Sequence, residues 1–398
     1  MENREIHKRV YFVSLFAALY TFTRQTFLPS ADSINIIGLS DANNIFSIVN
    51  ITSYFGFIYS CLQIPYGIII DLIGINRMVT ILSGIMTTGL LICTLSTTDF
   101  MFFIGRIITV FGCGGAFISA VKTQNYELGQ EKTSQVIGML IASVLSLGIF
   151  FIKNIIPKMK IINDGWRYFY GIKTILVSIV FIYFFYLQKK THIPEGQTTR
   201  EIVSFKECFS SMITNPKMMI LVGFTFFFFM IFYAINETPF MANYLYTTLN
   251  INQENVYSIL LGGFLGGFLT TPFFVKYLGN LNYTYILNIL LMVLASIMMI
   301  FPSAFMAYIF LILVGYSNGL QMVIVGLASL EIEKKYMGML TGIFNCLFLA
   351  GSILPQQAFR IIIGNNVTKA KYMFPFVIII AALSIFLMSV YNNLKKNN

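Results

Sequence analysis

The chain has 398 residues, of which 57% are hydrophobic, 16% aromatic and 11% charged, far too little polar surface to cover a soluble globule of this size. Its 26 Lys and Arg against 16 Asp and Glu make no nucleic-acid patch, because the basic residues are strung between apolar runs. The class that remains is an integral membrane protein, with the lipid bilayer as its solvent.

Twelve apolar runs, each near the ~20 residues that a crossing takes, follow in chain order: 11–33, 45–70, 78–95, 100–121, 136–156, 168–187, 218–239, 256–275, 285–301, 304–327, 337–361 and 374–391. They predict an all-α membrane protein of twelve transmembrane helices in two six-helix bundles. The longest polar interruption separates six runs from six. The expected organisation is therefore an N-terminal bundle over 1–187, a cytoplasmic linker over 188–217 and a C-terminal bundle over 218–398. Within the linker, residues 202–213 are mildly amphipathic and suit a helix along the membrane surface. Equal halves suggest an internal duplication, echoed by Gly138-Met139-Leu140 at the start of the fifth run and Gly338-Met339-Leu340 at the start of the eleventh.

With the N-terminus inside, the cytoplasmic segments hold sixteen Lys and Arg against seven outside. That bias favours a multi-pass inner-membrane protein with both termini cytoplasmic, although the basic loop from Lys153 to Arg167 runs against it locally. Arg24 interrupts the first run and no small-residue cleavage site follows, so this run reads as an uncleaved helix and not a signal peptide.

Arg24 is the most informative residue. A guanidinium at membrane depth costs roughly 3 kcal/mol on insertion scales unless it meets water or a partner, so it is expected to bind substrate. Glu237, in the outer part of run seven, and Asp32, past the kink that Pro29 predicts, are carboxylates expensive to ionise in a bilayer and therefore candidates for carrying a coupling proton. Their other reading is a position at the membrane's edge. Polar side chains recur at helical spacing: Asn50 with Tyr54, Tyr233 with Glu237, Asn318 with Gln321, and Asn345 with Gln356 about three turns on. These are expected to line a substrate cavity, with interhelical hydrogen-bond glue as the alternative for each. Runs nine and twelve are nearly featureless, as lipid-facing helices would be.

Run two ends Gln63-Ile64-Pro65-Tyr66-Gly67 and continues to Asp71, Gly74 and Arg77. This resembles the signature between helices two and three of the major facilitator superfamily, with Leu72 where a basic residue is usual. The resemblance implies a cytoplasmic gate built on Gly67, Asp71, Gly74 and Arg77. Lys276 and Gly279 take the corresponding spacing in the second half. Run four carries Gly105-Arg106 and Gly112-Cys113-Gly114-Gly115-Ala116, similar to the family's second signature except for Val110 in place of its first glycine; the resemblance implies a part for Arg106 in proton coupling. A glycine packing face and an outward-snorkelling Arg106 are the plainer readings. Run five lacks the Gly-Pro signature of drug antiporters. Arg24 with Pro29-Ser30, the Gln63-Ile64-Pro65 run, Gly165-Trp166-Arg167, and Asn345 with Gly351 and Pro355-Gln356 are similar to bacterial metabolite-uptake members. In that family every third helix is peripheral.

His7 and His192 lie in cytoplasmic segments, the five cysteines have no framework spacing, and no phosphate-cradling loop occurs. The chain is therefore expected to be no enzyme and to need no metal or other cofactor. The reading is a monomeric secondary transporter that moves a small organic anion or amino acid by proton symport with alternating access. Its partners are a small anionic or zwitterionic substrate and the proton. Export of a small metabolite or chelator is the alternative, and a channel or membrane enzyme are further ones.

Overall fold

Apolar runs become helices because a backbone in lipid must satisfy its own hydrogen bonds. The computed structural model describes residues 2–31, 34, 46–128, 144, 146–162, 164–190, 205–236, 238–328, 330–331, 337–351, 353–364 and 366–396, and among these there is no strand. The chain divides into two compact units, Met1–Glu201 and Ile202–Asn398.

The first unit holds α1 (Glu2–Gln25), α2 (Phe27–Ala31), α3 (Ile48–Ile73), α4 (Ile75–Leu95), α5 (Asp99–Cys113), α6 (Ala116–Leu128), a π turn (Phe151–Ile155) running into α7 (Ile156–Ile161), and α8 (Gly165–Lys190). The second holds α9 (Phe205–Thr214), α10 (Pro216–Asn236), α11 (Pro239–Leu249), α12 (Gln253–Leu278), α13 (Asn280–Ile300), α14 (Ala304–Tyr316), a 3-10 turn (Ser317–Gly319), α15 (Leu320–Ala328), α16 (Met337–Ala350), α17 (Ile353–Ile363), a second 3-10 segment (Val367–Tyr372) and α18 (Met373–Lys396). Among the described residues, seven helices are long and apolar enough to cross a bilayer. The first part of run five, 136–143 with Gly138-Met139-Leu140, lies outside the described residues.

Several runs are broken where the sequence reads as continuous. Run one is interrupted at Thr26, since Pro29 lacks the N–H that Gln25 O would accept; Thr26 bonds back to Phe22 O through both its N–H (3.1 Å) and its Oγ1 (2.7 Å). Run four turns at Gly114-Gly115, and α3 repairs the exposed carbonyls: Gln63 Nε2 donates to Gly114 O (2.8 Å) and Tyr66 Oη to Phe111 O (2.9 Å). Run ten breaks at Ser317–Gly319, where Ser317 Oγ donates to Val314 O (2.7 Å) and Asn318 Nδ2 to Gly315 O (3.2 Å). The step from Gly114 to Gly319 equals that from Gly74 to Gly279, so both units are punctuated at corresponding places. Beyond its first residue, α11 falls outside every apolar run. Pro239 opens it at a position where a missing N–H costs nothing, and Asn250 closes it in the left-handed conformation (φ 54°).

Burial ranks the helices within the units. The buried share of the membrane window is 67% for α10, 56% for the helix-four span, 50% for α4, 44% for α3, and 39% each for α8, α13 and α18. Among these seven windows, those of runs six, nine and twelve are the most exposed. Helix three, expected with them, has a more buried window: α4 packs on both α5 and α8, and Gly89 approaches α5 so closely that a Cβ there would meet Gly105 O at 2.8 Å. In the second unit Gly263 and Gly267 of α12 face Gly315 and Gly319, each so close that a Cβ would strike backbone or Thr271 Oγ1. Small residues let these backbones touch, as membrane helix contacts require.

Candidate functional site

Arg24 occupies the last turn of α1, just before the break at Thr26. It is half-buried, and its Nη1 donates to Tyr20 Oη one turn back (3.4 Å). Tyr20 stacks on Tyr59 of α3 with centroids 4.8 Å apart. Gln63, a turn beyond Tyr59 and fully buried, donates to Tyr59 O (3.1 Å) as well as to Gly114 O. A polar ladder from Arg24 through Tyr20 and Tyr59 to Gln63 therefore runs through the first unit. Asn50 is buried, whereas Tyr54, expected on its face, opens with Phe57, Cys61, Pro65 and Ile68 to the exposed stripe of α3.

Toward the C-terminal end of α3, Lys122 Nζ donates to Gly67 O (3.3 Å), joining α6 to the segment that carries Gly67, Asp71 and Gly74. Gly74 has φ 83° and ψ 157°, receives no side-chain cap, and turns the chain directly from α3 into α4. Asp71 lies in the last turn of α3, with its side chain outside the described residues, and Arg77 is exposed. Asp32 and Glu237 also lie outside the described residues.

Arg106 does not snorkel. It is 2% exposed, its guanidinium carbon 4.1 Å from the Phe27 ring centre and 4.6 Å from that of Phe55. Its Nε and Nη1 have no hydrogen-bond partner. The residue that sequence reasoning passed over is Lys173, 1% exposed on the inner face of α8, its Nζ 3.9 Å from the Phe169 ring centre and 4.8 Å from that of Tyr170, again with no hydrogen-bond partner. An intramembrane Lys is the same signal as an intramembrane Arg, and could have flagged it. Burial of a cation costs several kcal/mol, against which a desolvated cation–π contact returns about 2 kcal/mol. The rings alone leave both charges under-compensated.

In the second unit, Tyr233 is buried on α10, Asn318 is buried in the 3-10 turn, Gln321 is half-buried a turn later, Asn345 is half-buried on α16 and Gln356 is buried on α17. α10 packs against α14, α15, α16, α17 and α18, which makes it the hub of the unit. A cluster not foreseen closes the other end: Tyr391 Oη donates to Glu331 Oε1 (2.9 Å), Asn215 Nδ2 to Glu331 O (3.0 Å), and Lys217 Nζ is 4.0 Å from Glu331 Oε2. Among the described residues no group of His, Cys, Asp or Glu is placed to hold a metal ion.

The arrangement of broken, glycine-packed helices in two similarly punctuated units agrees with a family model. The model of the Major Facilitator Superfamily matches residues 11–355. The chain belongs to this superfamily. Solved structures of superfamily members share its fold over nearly the full length. The nucleoside transporter NupG has a TM-score of 0.67 at 16% identity, covering 98% of this chain and 99% of its own. FucP in the outward conformation has a TM-score of 0.63 at 13% identity, covering 96% and 98%. A bacterial homologue of the human lysosomal transporter Spinster, inward-facing and unoccupied, has 0.63 at 14% identity, covering 98% of both chains. No curated protein matches the chain. As a superfamily member it is a multi-pass membrane transporter of small molecules, and not an enzyme.

Proposed function

We propose that this transporter takes up a small organic anion or amino acid across the inner membrane by proton symport, with both termini cytoplasmic. The observation that carries the reading is Arg24, a side chain that keeps its charge while half-buried beside the Tyr20–Tyr59 stack at a helix break. Its planar fork suits a carboxylate or phosphate, and helix breaks are where transporters of several folds build substrate sites. Asn50, Tyr54, Tyr233, Asn318, Gln321, Asn345 and Gln356 are the candidates for its remaining contacts. Glu237, or Asp32 in its place, carries the proton. Arg106, buried in the first unit, is the candidate that tunes how tightly that carboxylate holds its proton. In this reading the two units are the moving bundles of an alternating-access monomer, 1–187 and 218–398, joined by the cytoplasmic linker 188–217, and Gly67, Asp71, Gly74 and Arg77 form the inner gate.

The test is uptake by proteoliposomes across a panel of organic anions and amino acids, with nucleosides as uncharged controls, with and without an inside-alkaline gradient. The reading expects accumulation of an anionic or zwitterionic solute that collapses with a protonophore. Transport of uncharged solutes alone, or indifference to the gradient, contradicts it.

A further inference from the structure

Among the described residues of the first unit, several buried hydrogen-bond donors have no acceptor. Arg106 Nε and Nη1, Lys173 Nζ, Trp166 Nε1 and Tyr170 Oη are all buried without a hydrogen-bond partner, and their residues are at most 2% exposed. They share one neighbourhood. Phe102 meets Trp166 and Tyr170 edge-on at 6.0 and 5.6 Å, and it stacks at 6.4 Å on Phe27, the ring that lies against the Arg106 guanidinium. Lys173 Nζ sits over the Tyr170 ring.

Arginine keeps its proton in proteins, so Arg106 remains a buried charge in any state of Lys173. Buried donors on two elements, α5 and α8, one of them a fixed cation, lack an acceptor, and the one that suits them carries negative charge. The walls are aromatic, which favours an ion that sheds its water readily, hence a singly charged one. From these contacts we infer that Arg106, Lys173, Tyr170 and Trp166 form a binding site for a small monovalent anion within the N-terminal unit. The anion is either a free halide or the carboxylate of a transported solute. Arg24 takes no part in this set, and the site stands whether or not Arg24 holds substrate.

Trp166 is the chain's only tryptophan and one of the proposed ligands, so its fluorescence reports on the site directly. Purified full-length protein is titrated with iodide, a heavy-atom quencher, with ionic strength held by a bulky sulfonate. The expected result is saturable quenching that chloride reverses, with the saturable component lost in Lys173→Met and weakened several-fold in Tyr170→Phe. Reversal by acetate but not by chloride assigns the site to a solute carboxylate, and still supports it. Because Lys173→Met can fail to fold, the wild-type protein is also melted in chloride and in sulfonate at equal ionic strength; a ligand that binds only the folded state raises the midpoint. Quenching that rises linearly and ignores both chloride and acetate, together with equal melting points, overturns the proposal. So does saturable quenching that is absent from the wild type and appears only in Asp32→Asn, since the chain's own carboxylate would then fill the site.

Discussion

Gly74 and Gly279 adopt the same backbone conformation, φ 83° with ψ 157° and φ 77° with ψ 155°, each directly joining a 26-residue helix to a 21-residue one. Each N–H closes the helix before it, bonding Ile70 O and Val275 O, while each carbonyl starts the helix after it by accepting from Met78 N and Tyr283 N. This region of backbone space is essentially reserved for glycine. Gly74→Ala and Gly279→Ala are each expected to cost on the order of 1–3 kcal/mol, seen as a lower melting point of the detergent-purified protein. Asparagine, which tolerates the ordinary left-handed helical region, is expected not to rescue either site. Asparagine variants as stable as wild type would show that the turn is not strained.

Three residues before these glycines the halves differ, with Asp71 in one and Lys276 in the other. A cation suits a helix C-terminus and an anion opposes it, by about 0.3–1 kcal/mol. Asp71 therefore sits against the local electrostatics of α3, which points to work in the transport cycle. Asp71→Asn is expected to leave the melting point unchanged or slightly raised, while slowing turnover more than it weakens substrate affinity. Equal loss of rate and affinity would argue against a gating role.

Glu331 ties α18 to the start of α10, and its contacts are unequal. The Tyr391 hydrogen bond is short, whereas the Lys217 pair is at 4.0 Å with partly exposed side chains. Tyr391→Phe should cost about 1 kcal/mol or somewhat more, and Lys217→Ala less, near the ~0–1 kcal/mol of an exposed pair. Thermal melts of the two variants that reverse this order would contradict the geometry.

Much of the helical content is legible in the apolar runs, because the period and length of a crossing are imposed by the bilayer. The breaks are less so. In run four the Gly114-Gly115 pair reads equally as a turn or as a packing face, and the groups that make the turn tolerable, Gln63 and Tyr66, come from another helix. Arg24 and Arg106 stand out as charges inside apolar sequence, and Lys173 carries the same signal. What no single helix discloses is that Arg106 and Lys173, on α5 and α8, share one aromatic surround. Spacing likewise groups Asn50 with Tyr54, but the direction in which α3 turns that face depends on its neighbours.

If Glu237 carries the coupling proton, Glu237→Gln, which mimics the protonated carboxyl, should retain exchange of substrate between loaded sides yet lose accumulation driven by a pH gradient. Counterflow and gradient-driven uptake in the same vesicles separate these. A variant that still concentrates substrate on a proton gradient would move the role to Asp32.

The central claim is that the Arg24 charge holds an anionic group of the substrate. The most direct measurement is substrate affinity in proteoliposomes for wild type, Arg24→Lys and Arg24→Ala. Arg24→Lys keeps the charge and loses the bidentate fork, so binding should weaken; Arg24→Ala should nearly abolish it, with the melting point of the folded protein retained. Affinity for an anionic substrate that survives in Arg24→Ala would contradict the account.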